Sequence, residues 1–140
     1  MNPTIKAFLD KERVCVLAVP LADGSPHAAA MHYSNTYQPL KLYFQTGKES
    51  LKCRALRAGD MARASVVVGF NETEMLTLQM RGMLREVTAQ GELEALWRVH
   101  YRKQPQAEQY KGPDSAFLEF TPAWWRYTDF TTDPETMIQG

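Results

Sequence analysis

The sequence predicts a mostly β (α+β) domain with flanking helices, on three observations. Residues 77–87 alternate apolar with polar side chains, which is the pattern of a strand with one buried face. The Asp-Gly-Ser-Pro sequence of residues 23–26 indicates a turn that joins two strand segments into a hairpin. Gln90–Lys103 has the clearest helical period in the chain. The chain has 140 residues, 44% of them hydrophobic, and is predicted to form one domain over residues 1–140.

Three elements are predicted before residue 34. Pro3–Lys11 indicates a helix with three apolar side chains on one face, namely Ile5, Phe8 and Leu9. Residues 14–19 are apolar on both faces, which favours a barrel strand covered outside by a helix or by a second subunit. Residues 27–33 form a strand of mostly small side chains, which either leaves room for a ligand near the backbone or allows tight barrel packing.

The later elements are predicted from the same two patterns, the alternation of a strand and the helical period. Residues 64–70 indicate another buried strand. In the strand of residues 77–87, one face is apolar and the other mostly polar; the first carries Leu78, Met80, Gly82 and Leu84, the second Gln79, Arg81, Met83 and Arg85. Gln90–Lys103 is predicted to cover the core.

The C-terminal part is predicted as two closing strands and a tail. The strands are residues 116–120 and 124–130, and Pro122 separates them because proline interrupts a hydrogen-bonded ladder. The tail after Thr131 is predicted to be poorly ordered.

Residues 42–57 combine a strand, a glycine turn and a basic helix. Leu42 and Phe44 supply the strand alternation, which breaks at Thr46 and Gly47. The helix that follows carries more cations than anions. Such an arrangement suits a bound anion, because free N–H groups and the positive end of the helix dipole lie at a helix start. The alternative is a solvated basic helix, which the pattern alone favours.

The overall charge excludes some classes of protein. Basic and acidic residues are equal in number, 16 of each, so the formal net charge is zero. This argues against a nucleic-acid binder that works by bulk electrostatics. The sequence has no apolar run long enough to span a bilayer and no N-terminal apolar signal region. We therefore expect no membrane association and a cytoplasmic location.

No metal site is predicted. His27 and His32 are five residues apart on a strand and so project to opposite faces. His100 stands alone on its helix face, where a satisfied imidazole is the commoner state. The two cysteines lack ligand spacing and make no disulfide framework. Cys15 is predicted as a small core residue. Cys53 lies in the basic helix, whose cations would favour its thiolate, so a redox role is the alternative to an ordinary cysteine there.

Several of these motifs, in this order, resemble the pyridoxamine-phosphate-oxidase-like, FMN-binding split-barrel family. In that family a strand ends in Thr or Ser and is followed by Ser-x-Lys, which here is Thr46 and the Ser-Leu-Lys of residues 50–52. The helix then continues as Lys-x-Arg-x-Leu, here residues 52–56. The Asp-Gly-x-Pro hairpin turn and the Gln-Met-Arg-Gly of residues 79–82 also match. The resemblance covers roughly residues 5–130.

The resemblance implies an antiparallel split β-barrel with flanking helices, which forms a homodimer and binds FMN. It implies a phosphate site at Thr46, Ser50 and Lys52, with Arg54 as a further donor. The flavin ring would lie near the strand of residues 30–33, and its polar rim near Gln79. The cofactor contacts implied in all are Met31, His32, Tyr33, Thr46, Ser50, Lys52, Gln79 and, beside the partner subunit's flavin, Trp125.

The implied function is that of an FMN-dependent oxidoreductase acting on a small molecule. Leu51 stands where the enzyme that names the family has an arginine, so oxidation of pyridoxamine phosphate is not predicted. No catalytic acid or base is predicted, and His32 is only the nearest candidate. The alternatives are a non-catalytic flavin- or haem-binding protein and a reductase that uses the deazaflavin F420. A structural or interaction module without a ligand is the third possibility.

Overall fold

A computed structural model of residues 1–140 shows eight strands and three α-helices. The helices are α1 (Pro3–Lys11), α2 (Leu51–Arg57) and α3 (Gln90–Lys103). The strands are β1 (Val14–Pro20), β2 (Pro26–His32), β3 (Ser34–Tyr37), β4 (Leu40–Gly47), β5 (Met61–Val68), β6 (Leu76–Glu86), β7 (Ser115–Asp129) and β8 (Thr136–Gln139). A 3-10 turn, Pro105–Tyr110, follows α3. The predicted bounds of α1 and α3 are confirmed.

The strands form one antiparallel sheet that curls on itself. Its order is β2-β1-β5-β6-β7-β4-β3, and β8 pairs with β7 outside this path. The curl brings edge strand β2 into contact with β4 near the opposite edge. The predicted antiparallel split barrel with flanking helices is therefore confirmed.

The core lies inside the curl because β1, β4, β5 and β6 bury alternate side chains. On β1, Cys15, Leu17 and Val19 point inward and are buried. They join a cluster of 21 buried residues, which the apolar face of α1 closes at one side. Both cysteines are buried and free, and burial raises the pKa of the Cys15 thiol to about 12. The outer face of β1, which carries Val16 and Ala18, is only partly covered.

One strand prediction needs correction at its ends, and one strand was not predicted. The strand predicted at residues 64–70 is β5, Met61–Val68, and it stops before Gly69, whose φ of +93° is the left-handed region that favours glycine. Phe70 beyond it is exposed. Sequence reasoning also missed β3, because its four residues are mostly polar and carry no alternating pattern.

The two predicted closing strands are one strand, β7. Pairing with β6 continues through Pro122, but the register shifts there: Gly82 faces Pro122 while Arg81 faces Trp124. Ala123 is therefore an extra residue, as in a β-bulge. The bulge lets the strand pass a proline without breaking the sheet, which the sequence pattern does not reveal.

The prediction of a poorly ordered tail was wrong. Residues 136–139 form β8, which pairs with residues 126–129 of β7. The last residue continues the ladder, since the N–H of Gly140 donates to the carbonyl of Trp125 (3.1 Å) and the N–H of Trp125 donates to the carbonyl of Gly140 (2.9 Å). Backbone hydrogen bonds to an otherwise open strand segment order the tail, and they depend on position rather than on composition.

We expect Gly82→Ala to destabilise the fold. A Cβ at Gly82 would lie 2.7 Å from the Cα of Pro122 and would also strike the carbonyl of Thr121, both of which are backbone atoms that cannot move aside. Overpacking of this kind reduces the free energy of unfolding by about 1–3 kcal/mol. Urea denaturation measures the change. Gly91→Ala is the matched control, because nothing lies within 4 Å of its added Cβ. An unchanged Gly82→Ala protein would contradict the close approach of β6 and β7.

Candidate functional site

The curl of the sheet leaves a cavity of about 560 Å³ at the place where β2 approaches β4. We call it the seam cavity. Met31 and His32 line it from β2, and Thr46 lines it from β4. The far wall is built by His100 of α3 and by residues of the 106–115 segment. Its volume falls within the roughly 300–1,000 Å³ typical of ligand pockets.

Hydrogen bonds fix the wall of the seam cavity to the sheet. The side-chain amide of Gln45 donates to the carbonyl of Ala107 (3.1 Å), and the hydroxyl of Tyr101 donates to Gln45 Oε1 (2.8 Å). The N–H of Lys48 donates to the carbonyl of Asp114 (2.8 Å). Residues 106–114 are therefore a structural wall of the cavity.

His100 is a buried, neutral member of the cavity lining. Its Nδ1 lies 2.8 Å from the hydroxyl of Ser34, and both side chains are buried. Burial lowers the pKa of His100 to about 4, with a smaller contribution from the charge of His32. The predicted satisfied histidine is confirmed. No sequence motif indicates that His100 shares a cavity with Met31, His32 and Thr46.

Tyr33 lies apart from the cavity although it follows His32 in the chain. Its side chain is fully buried in the core, and its hydroxyl donates to the carbonyl of Leu9 at 2.7 Å. Burial raises the pKa of Tyr33 well above its ordinary value. The backbone carbonyl of Tyr33 accepts from the Gln104 side chain (3.0 Å). Tyr33 thus joins β2 to α1 and to the end of α3.

Lys52 is the unusual residue of α2. Only 6% of it is exposed, yet it forms none of the ion pairs in the structure. The fully buried side-chain atoms that lack a hydrogen-bond partner do not include its Nζ, so the stem of Lys52 is buried while its ammonium group still meets solvent. Ser50 precedes the helix as its N-cap and accepts a hydrogen bond from the N–H of Cys53 (3.4 Å). Neither Ser50 nor Lys52 lines the seam cavity.

Gln79 lies on the outer face of the sheet. Its side-chain carbonyl accepts a hydrogen bond from Arg126 Nη2 at 3.1 Å. It lines one of two adjoining cavities, of about 450 and 580 Å³, which share Arg81 and Trp124. We call these the outer-face cavities. They have no residue in common with the seam cavity.

Trp125 points away from its neighbour Trp124. Its ring packs against the core cluster and against the backbone of Gly140. Within one chain, the structure thus brings together Met31, His32 and Thr46. It keeps Tyr33, Ser50, Lys52, Gln79 and Trp125 outside the seam cavity.

Comparison with known proteins identifies the family. The sequence matches the profile of the pyridoxamine 5'-phosphate oxidase family over residues 1–129, which is most of the chain. The chain belongs to the pyridoxamine 5'-phosphate oxidase family. No curated protein sequence matched it.

Solved structures of members of this fold support the assignment. An FMN-binding protein from Nostoc punctiforme, related to pyridoxamine 5'-phosphate oxidase, superposes with a TM-score of 0.75 at 15% identity, over 99% of this chain and 90% of the other. A protein from Clostridium acetobutylicum related to general stress protein 26 gives 0.72 at 14% identity, over 97% and 92%. A heme-binding protein from Mycobacterium smegmatis gives 0.77 at 15% identity, over all of this chain and 59% of the other.

At these identities the structural likeness establishes the fold. The family and its split-barrel architecture are therefore shown, as the sequence motifs predicted. Neighbours of this fold include one that binds FMN and one that binds haem. None of the helices of the chain is both long and apolar enough to cross a membrane.

We expect the stability of the protein to fall as the pH drops from 6.5 toward 4, with His100 as one cause. Its pKa is about 4 in the folded state, against an ordinary value of 6.5, so the unfolded chain binds more protons in this interval. The contribution of His100 to the free energy of unfolding is complete above pH 6.5. It decreases by on the order of 3 kcal/mol as the pH falls toward 4. Urea denaturation of wild type and His100→Gln at several pH values measures it.

The variant should lose less stability than the wild type over the same interval. Arg102→Gln, an exposed change on the same helix, is the control and should follow the wild type. Equal pH dependence in wild type and His100→Gln would show that His100 is not a buried neutral imidazole.

Proposed function

We propose that the chain binds FMN and acts as a flavin-dependent oxidoreductase on a small organic molecule. The observation that carries this proposal is the convergence of Met31, His32 and Thr46 on one cavity of ligand size, in a chain of this family. The family resemblance implies the same three residues as cofactor contacts. The cytoplasm stays the predicted compartment.

The residues near α2 suit the phosphate of FMN. The hydroxyls of Thr46 and Ser50 lie on one short segment, which the Ser50 N–H closes by donating to the carbonyl of Gly47 (3.1 Å). Lys52 adds a positive charge that lacks a protein partner. A phosphate oxygen would provide that partner, and a hydrogen bond to a charged group contributes about 1.5–3 kcal/mol.

FMN, when bound, supplies one- and two-electron transfer, and the chain supplies binding, orientation and exclusion of water. Met31 offers apolar contact and His32 a hydrogen-bonding group at the seam cavity. His100, neutral because of its burial, presents no charge to a ligand there at neutral pH. We assign no catalytic acid or base; His32 is the nearest candidate.

A second candidate function is haem binding without catalysis. Two observations favour it: His32 and His100 both line the seam cavity, and a heme-binding protein shares the fold. Histidine is a common axial ligand of haem iron. We rank this function below flavin binding because it leaves the unpaired charge of Lys52 without a role. No feature of the structure favours F420 over FMN.

We also propose that the active form is a homodimer. Gln79 lies on the outer face of the sheet, in a cavity that shares no residue with the seam cavity, so Gln79 would contact FMN bound in the seam cavity of a second copy. The outer face of the sheet offers a surface for that copy, since Val16 and Val67 are only partly buried and line a cavity to which no helix contributes a residue. Homodimers pair such surfaces symmetrically.

We expect Lys52→Met to weaken FMN binding by roughly tenfold to a hundredfold, because one charge-assisted hydrogen bond is lost. Methionine retains the apolar stem, so the fold should persist. Titration of the flavin-free protein, followed by flavin fluorescence, measures the affinity. Lys48→Met is the matched control, because Lys48 is an exposed lysine in the turn that precedes α2. Unchanged affinity in Lys52→Met would remove Lys52 from the phosphate site.

The variant also separates phosphate recognition from ring recognition. Riboflavin lacks the phosphate, so its affinity should be similar in the wild type and in Lys52→Met. If the affinities of Lys52→Met for FMN and for riboflavin fell equally, the substitution would have disturbed the pocket as a whole rather than removed a phosphate contact.

We expect a dimer at micromolar concentration that Val16→Glu converts to monomer, because the charge would be buried in the contact. Sedimentation equilibrium measures the mass, and circular dichroism checks the fold. Thr73→Glu, in an exposed turn, is the control and should remain dimeric. A monomeric wild type would refute the dimer. A dimer that persists in Val16→Glu would refute the outer face as its contact.

A further inference from the structure

Gln104 is a buried polar residue at the end of α3. Pro105 follows it and ends the helix, so Gln104 is the C-cap residue. Its N–H donates to the carbonyl of His100 (2.8 Å), and its own carbonyl accepts from the N–H of Ala107 (3.0 Å). The side chain is completely buried, although glutamine is mostly exposed in proteins. A buried amide of this kind needs partners for its polar atoms.

The side-chain amide of Gln104 makes four hydrogen bonds. Its Nε2 donates to the carbonyls of Arg13 and Tyr33, both at 3.0 Å. Its Oε1 accepts from Arg13 Nη2 at 2.7 Å and from Gln106 Nε2 at 2.8 Å. An amide has two N–H donors and two acceptor lone pairs, so this one is fully satisfied. Its orientation is also fixed, because a flip would place its oxygen against two carbonyls and its NH2 group against a guanidinium.

The partners of this amide belong to the two walls of the seam cavity. Tyr33 directly follows His32, which lines the cavity from β2. Gln106 lines the cavity from the far wall, next to Ala107. Gln104 itself does not line the cavity. Its side chain therefore connects the end of β2 to the far wall from behind the lining, and we call this connection the Gln104 bridge.

Arg13 strengthens the Gln104 bridge. Its Nη1 donates to the carbonyl of Lys103 (3.2 Å), and its Nη2 also reaches Gln106 Oε1 (3.4 Å). Arg13 takes part in no ion pair, so its charge acts on these neutral acceptors. Hydrogen bonds from a charged donor are shorter and stronger than neutral ones, which agrees with the 2.7 Å contact to Gln104. Arg13 thus fixes the two glutamine side chains relative to the start of β1.

The sheet itself does not fix the width of the seam cavity. Strands β2 and β4 are not paired with each other, so no backbone ladder determines the distance across the seam. The far wall is held to β4 by Gln45, and to the turn after β4 by the N–H of Lys48. The same wall is held to the end of β2 by the Gln104 bridge. The separation of β2 from the far wall therefore depends on this one buried side chain.

We propose that Gln104 is a positioning residue that sets the width of the seam cavity and thereby the affinity for a ligand bound there. It acts through Tyr33 and Gln106 and has no catalytic role. The effect on FMN rests on the proposed function, which places the flavin in this cavity. The holding of the two walls requires no ligand.

The test combines hydrogen exchange of the flavin-free protein with titration by FMN. Gln104→Met keeps the length of the side chain and removes all four hydrogen bonds. We expect faster exchange at the N–H groups of Tyr33 and Ala107, by at least about tenfold, and FMN binding that is roughly tenfold to a hundredfold weaker. The increase in exchange should be smaller in the β5–β6 ladder, because exchange there follows global unfolding.

Gln104→Glu separates the two sides of the Gln104 bridge. The carboxylate can still accept from Arg13 and Gln106, but it cannot donate to the carbonyl of Tyr33. We therefore expect a larger increase in exchange at the N–H of Tyr33 than at the N–H of Ala107.

Two controls distinguish positioning from a loss of stability. Gln90→Met removes an exposed amide of α3 that bonds only within its own helix, to Glu94, and should change neither measurement. Ile5→Ala truncates a buried side chain of the core. It should raise exchange throughout the sheet and leave the FMN affinity of the folded protein unchanged.

Each outcome supports or overturns the proposal. A uniform increase in exchange in Gln104→Met, or an FMN affinity equal to that of the wild type, would overturn it. A wild type that binds no FMN would refute the flavin proposal instead. The exchange data would then decide alone: a local increase at both walls supports the Gln104 bridge, and a uniform one overturns it.

Discussion

The need of every strand to bury one face governs this molecule. An antiparallel sheet with one apolar side has to cover that side, and since the chain has only three short helices the sheet covers itself largely by curling. The curl brings β2 toward β4 and creates the seam cavity between them. It also turns the second face of β1 and β5 outward, where Val16 and Val67 are only partly covered. The cavity and the uncovered face thus share one cause.

A local irregularity gives the outer face its chemistry. The bulge at Ala123 shifts the register of β7 against β6, which keeps Trp124 opposite Arg81 while Pro122 lies opposite Gly82. The guanidinium can then stack on the indole instead of seeking a carboxylate. One register shift therefore accounts for the close backbone approach at Gly82, the bulge and the arginine stack. The stack lies on the face of the sheet opposite to the core.

Sequence patterns predicted the fold well where burial is periodic. The alternation in β6 and the helical periods of α1 and α3 reflect the burial of one face, and these elements appeared where the patterns placed them. The patterns failed for β3 and β8, which are held by backbone hydrogen bonds to neighbouring strands. They failed likewise at Pro122, where a bulge rather than a break accommodates the proline. Such features depend on neighbours that are distant in sequence.

The sequence predicted individual residues of the site but not which residues share the cavity. Family motifs selected Met31, His32 and Thr46, which the curl brings to one cavity, but no motif indicated that His100 would join them. The most direct test of the account is the absorption spectrum of the protein as purified and after incubation with FMN. We predict the visible bands of bound flavin. A haem spectrum, or a colourless protein whose spectrum and fluorescence show no binding of added FMN, would contradict it.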